Sequence, residues 1–196
     1  MNYEEAYNVL DNMCDKSGTA WFNEFEKNII LKQGTYNYLK SISDNFESNK
    51  EMIDGIYTLV SEPTLLTVSN NIAELPSNYA FRLAMYINSP ENEIRYTKLN
   101  NWSHTHDDTH SDIENVTYGT LIKSGFLLTG DLTGNSVYLF FIKDPSYNFN
   151  DTTEEWVDLP EQTQYEVIKH SFKLATTSLG DERYQLGNNL LQDGKT

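Results

Sequence analysis

The chain has 196 residues, 13% of them aromatic, and a formal net charge of −15 from 29 acidic against 14 basic side chains. That length and ring content exclude a disordered chain, because the rings can bury enough apolar surface to offset chain entropy. The charge excludes nucleic acid or anionic membrane as a partner held by counterion release, since both are polyanions.

Residues 3–14 place Tyr3, Ala6, Tyr7, Leu10, Met13 and Cys14 at helical spacings and predict a short amphipathic helix. Cys14 is the single cysteine; it falls on the apolar stripe and is expected to be a buried thiol rather than a nucleophile. Asp15-Lys16-Ser17-Gly18 breaks that helix, and Thr19 is the expected cap of a second one. Its core face is predicted to carry Phe22, Phe25, Ile29 and Tyr36, and Gly34 weakens its middle. A third helix is predicted over 47–60, with Met52, Ile53, Ile56, Tyr57 and Val60 on one side and Pro63 preventing its continuation.

From Thr64 the period changes. Leu65–Val68, Phe81–Ile87 and Glu93–Leu99 read as strands, the last as a half-buried antiparallel one from its alternation. Residues 100–115 are polar and acidic and read as a long exposed loop. Tyr118–Leu128 and Ser136–Ile142 are expected to form a hairpin with Gly130–Asn135 as its turn. The final helix is the clearest: Pro160 and Glu161 suit its start, and Tyr165, Ile168, Phe172, Ala175 and Leu179 space one face up to Gly180. A further short helix can start at Asp181 and run to Leu190. These elements predict an α+β chain read as one domain over 1–196. N-terminal helices occupy 1–62, a β region 63–157, and C-terminal helices 158–196.

Chemistry is sparse along this order. His104, His106, Asp108 and His110 crowd seven residues and could surround a divalent ion, but a loop preorganises ligands poorly, and exposed polar sequence is the preferred reading. Gly130-x-x-x-Gly134 lacks the Lys-Ser/Thr of a phosphate loop, and no nucleophile elbow is present. The carboxylate pairs Glu24/Glu26, Asp107/Asp108 and Glu154/Glu155 read as solvated charge. We assign no catalytic, cofactor or metal residue from the sequence and expect no enzyme. The N-terminus lacks the basic and apolar stretches of a signal peptide, and no apolar run approaches a bilayer span, so synthesis in a cytoplasm is expected. Tyrosines spread over every element favour a protein that contacts other proteins.

Two Leu-Pro segments punctuate the chain, Glu74-Leu75-Pro76-Ser77-Asn78-Tyr79 and Asp158-Leu159-Pro160-Glu161, and Val137–Ile142 runs into Lys143-Asp144-Pro145. With Phe22–Lys27 and Asn45-Phe46-Glu47, this order resembles head–tail adaptor or tail-tube ring proteins of short-tailed bacteriophages, closest to those of crAss-like and related Bacteroidetes phages. The resemblance implies a podovirus adaptor-like bundle from the N- and C-terminal segments with an inserted antiparallel β-hairpin region. It further implies a homo-oligomeric ring, commonly of twelve copies, in the neck or tail of a virion, meeting the portal and neighbouring tail ring proteins. DNA would be passing cargo only, and no catalytic residue is implied. The rival readings are an acidic DNA mimic and a metal-dependent protein using the His104–His110 loop. Interspersed cations such as Arg82, Arg95 and Lys98 argue against the mimic.

Overall fold

The computed structural model describes residues 1–17, 22–46, 48, 50–102, 117–130, 132, 134–147 and 155–177. The protein belongs to the α+β class. Its chain divides into two compact units, Met1–Leu59 with the segment from Pro145 onward, and Val60–Asp144.

The first unit is helical. Helix α1 (Tyr3–Ser17) opens on a reciprocal cap. Asn2 Oδ1 accepts from the Glu5 amide and the Glu5 carboxylate accepts from the Asn2 amide, each at 2.9 Å. Tyr3, Ala6, Leu10 and Cys14 are buried along the predicted stripe. Helix α2 (Glu24–Asn45) is capped in the same way by Asn23 and Glu26. The expected cap, Thr19, lies outside the described residues.

The predicted core face of α2 is wrong. Phe25 is 72% exposed, Ile29 52% and Tyr36 41%, while Leu31, Thr35, Leu39 and Ile42 are fully buried. Two apolar stripes compete on this helix, and what decides between them is Gly34. A Cβ there would lie 1.9 Å from Ser171 Oγ and 2.8 Å from Ser171 Cα. The missing side chain lets helix α3 (Glu161–Thr177) approach along the Leu31/Thr35/Leu39 side. Gly34→Ala is therefore expected to lose about 1–3 kcal/mol of stability, although alanine has the higher helix propensity by about 1 kcal/mol. A urea midpoint equal to or above the wild type's would overturn this packing account.

The third helix predicted over 47–60 is instead a 3-10 helix, Lys50–Ile56. The chain closes i+3 bonds here, with the Leu59 amide donating to Ile56 O at 2.9 Å. The Gly55 carbonyl accepts from Thr163 Oγ1 at 2.6 Å instead of continuing a helical ladder. The segment before α3 is fixed by a fully buried glutamine: Gln164 Nε2 donates to Leu159 O at 2.8 Å and Val157 O at 3.2 Å. Tyr3 Oη reaches the same turn, donating to Trp156 O at 2.9 Å. Ile168, Phe172 and Ala175 are buried as predicted, but Tyr165 is 43% exposed. Leu179, Gly180 and the further helix predicted at 181–190 lie outside the described residues.

The second unit is built from β1 (Thr64–Leu66), β2 (Val68–Ser69), β3 (Ile72–Ala73), β4 (Tyr79–Ile87), β5 (Arg95–Tyr96), β6 (Tyr118–Ile122), β7 (Gly125–Leu128) and β8 (Val137–Lys143). They form a three-stranded sheet ordered β1-β8-β4 and a five-stranded sheet ordered β2-β3-β7-β6-β5. Both sheets feed one core. Leu66, Met85, Val137, Leu139 and Phe141 come from the first, and Ala73, Phe126 and Leu128 from the second.

Two strand expectations are corrected. The hairpin is β6–β7, turning at Lys123-Ser124 with Ile122 opposite Gly125, while Val137–Lys143 pairs antiparallel with β4 and β1. The two-residue loop closes at a smaller entropy cost than the Gly130–Asn135 connection would, and Gly125, with φ +144°, takes the positive-φ position beside it. The predicted strand over 93–99 shrinks to Arg95–Tyr96 and pairs parallel with β6, Arg95 opposite Tyr118. Between β2 and β3, Asn70 and Asn71 both take positive φ, 51° and 60°, which asparagine tolerates and which a two-residue primed turn requires.

Candidate interaction surface

Among the described residues the groups that could carry chemistry do not converge. His104, His106, Asp108 and His110 lie outside the described residues, as do Asp107 and Glu154. Among the described residues no cluster of three or more His, Cys, Asp or Glu could hold a metal ion. Glu26 is used in the α2 cap, and Glu155 stands 3.9 Å from the N-terminal amine. Cys14 is buried, and that burial, with Asp11 nearby, pushes its thiol up to about 11. It is protonated at neutral pH and makes a poor nucleophile. Among the described residues no helix is long and apolar enough to cross a membrane.

What the first unit does present is exposed apolar side chain on well-anchored elements. Along α2, Phe25, Ile29, Lys32, Tyr36 and Lys40 are all exposed, at spacings of four, three, four and four residues. Such spacing lines one helix face over about 22 Å. Between Phe25 and Lys40 the stripe holds no carboxylate; Glu24 and Glu26 flank its start, and Asp44 follows Lys40 one turn on. The Lys32 ammonium sits 5.4 Å from the centre of the Tyr147 ring, which orients it by cation–π attraction. Behind the stripe, Lys27 is buried and bonds Asp11 of α1 at 2.5 Å, so the helix is locked in rotation.

A second exposed patch of the same unit has the opposite charge. Tyr57, 66% exposed, follows the 3-10 helix, and Tyr165 lies one turn into α3. Asp54, Asp158 and Glu161 are exposed around them. The two segments are tied by Thr163 Oγ1 donating to Gly55 O and by Thr58 Oγ1 donating to Asp158 O at 2.8 Å. The spacing puts Tyr57 and Tyr165 on the apolar faces of their predicted helices, but a periodic stripe does not say which of two apolar sides is covered. The cue available was the carboxylates around Tyr57 and Tyr165, since a core face does not carry unpaired acids.

Next to this surface one histidine reports on packing. His170 lies edge-on to Tyr38, ring centres 5.4 Å apart. Burial lowers its pKa, Lys173 adds to the lowering, and Glu166 opposes it. The unfolded chain therefore binds a proton more readily. The stability contributed by neutral His170 is present above the unfolded pKa of about 6.5 and is lost as pH falls through the lower folded value. His170→Gln is expected to flatten the urea midpoint between pH 7 and 5.5 relative to wild type. An unchanged slope would show that His170 protonates freely in the folded protein.

Compared with protein-family models and with curated proteins, the chain matches none.

Proposed function

We propose that the protein is a virion structural component that assembles into an oligomeric ring in the head–tail connector or tail barrel of a short-tailed phage. In that place it extends the DNA channel between portal and tail. The observation that carries the reading is the exposed Phe25–Ile29–Tyr36 stripe on a helix whose other side is packed. Large apolar groups held rigidly at the surface favour a covered interface over a soluble monomer. The order of motifs described above supplies the phage context, and the net charge of −15 suits a channel wall. Like charge keeps passing DNA from adhering, since no condensed counterions are released.

The test is the solution mass of the purified chain by light scattering across concentration, alone and with a portal protein. A closed assembly of about a dozen copies under either condition supports the ring. A monomer under both conditions, with no association with the portal, sinks it.

A further inference from the structure

We infer that the ring contact joins the α2 stripe of one copy, Phe25, Ile29, Lys32, Tyr36 and Lys40, to the patch of Asp54, Tyr57, Asp158, Glu161 and Tyr165 on the next copy. This deepens the ring reading and rests on it. The two surfaces lie on the same unit but on different elements, so the contact is heterologous. One copy offers its stripe and its neighbour offers the patch, and the pattern repeats until it closes.

The occupant of the stripe follows from charge. On a chain of net charge −15, an exposed face carrying two lysines and no carboxylate selects an acidic partner. The Asp54/Asp158/Glu161 patch is acidic, and it carries its own exposed rings, Tyr57 at 66% and Tyr165 at 43%. Apolar anchors on both sides, with lysines among those of the stripe and carboxylates around those of the patch, are what a specific contact requires. Two cations stand near the patch: Lys50 at the start of the 3-10 helix, seven residues before Tyr57, and Lys169, one turn beyond Tyr165 on α3 and paired with Glu166 at 2.8 Å. Like-patch pairing is disfavoured on both sides, lysines against lysines and carboxylates against carboxylates, which steers the contact away from a closed twofold dimer.

Two variants test the contact, each altering exposed side chains only. Phe25→Asp with Ile29→Asp removes the stripe, and Tyr57→Asp with Tyr165→Asp removes the patch. Each alone is expected to be monomeric at concentrations where the wild type assembles, with association weakened about tenfold or more. Mixed one to one, they keep one intact stripe and one intact patch and are expected to form a dimer of twice 22.6 kDa that grows no further. Urea midpoints equal to the wild type's show that the substitutions left the fold alone.

Wild-type rings that persist in either variant overturn this contact and leave the ring reading standing. A one-to-one dimer from the mixture, with open filaments from the wild type, supports the contact and sinks the ring. If residues 178–196 of the same chain cover the stripe, Phe25→Asp lowers the urea midpoint, the mixture forms no dimer, and the contact is overturned. A wild type that stays monomeric, with no dimer in the mixture, overturns it equally, and the ring then depends on the portal measurement.

Discussion

Gly125→Ala is expected to lose about 2–6 kcal/mol, the largest effect of a methyl added at any glycine among the described residues. Gly125 holds φ at +144°, a backbone region almost closed to residues with a side chain, which costs about 1–3 kcal/mol to impose. The added Cβ would also stand 2.2 Å from Ala73 O and 3.1 Å from Ala73 C. These are backbone atoms of the adjoining strand and cannot rotate away, so overpacking adds about 1–3 kcal/mol. Ala73 and Phe126 are fully buried and oppose each other in the β3–β7 pairing, which puts the displacement in the shared core of both sheets. Gly134→Ala separates the two causes. Its φ is also positive, +78°, but nothing lies within 4 Å of the new methyl. It should lose about 1 kcal/mol, the backbone cost alone. Urea midpoints for the two variants decide the matter, and equal losses would refute the packing argument.

Removing the partner of the buried lysine should cost nearly as much. Lys27 Nζ and Asp11 Oδ2 lie 2.5 Å apart, with the two side chains 10% and 19% exposed, and the ammonium also sits 5.4 Å from the Tyr7 ring centre. Asp11→Ala leaves a cation largely out of water beside the Tyr7 ring face and without its carboxylate. A loss of about 3–5 kcal/mol is expected. The double change Asp11→Leu with Lys27→Met should be far milder, because it removes the desolvation cost along with the attraction. A double-mutant cycle by urea denaturation measures the coupling. If Asp11→Ala loses under about 1 kcal/mol, the lysine reaches solvent once released and does not lock α1 against α2.

That pair shows where sequence reading stops. Lys27 and Asp11 are polar residues on helices whose apolar stripes were legible, yet nothing in their spacing says that they meet, since the sixteen-residue separation crosses a helix break. Partnership between elements is a tertiary fact. The same holds for Gly34, which by propensity alone only weakens a helix and by contact admits Ser171. On α2 a second stripe, Leu31/Thr35/Leu39/Ile42, took the core because it has the narrow waist. Phe25, Ile29 and Tyr36 were left outside, where they became the candidate interface.

What the sequence determined by itself was a set of features that depend on neighbours a few residues apart, though not the 3-10 helix at Lys50–Ile56 or the turn at Lys123-Ser124. It determined the α1 stripe and the buried Cys14, the onset of α3 after Leu159-Pro160, and the change from helical to strand period at Thr64. Its separation of helical ends from a β middle follows from those same short-range periods. Only the tertiary structure decided which strands pair. Val137–Lys143 takes β1 and β4 as neighbours rather than β6–β7, because the apolar alternation of a strand fits several partners. Selection then falls to the turn at Lys123-Ser124, the positive φ of Gly125, and the joint burial of Phe126, Leu139 and Phe141. It also decided which of two apolar helix faces is covered, since burial depends on the shape of the opposing element, and that shape is not written in local spacing.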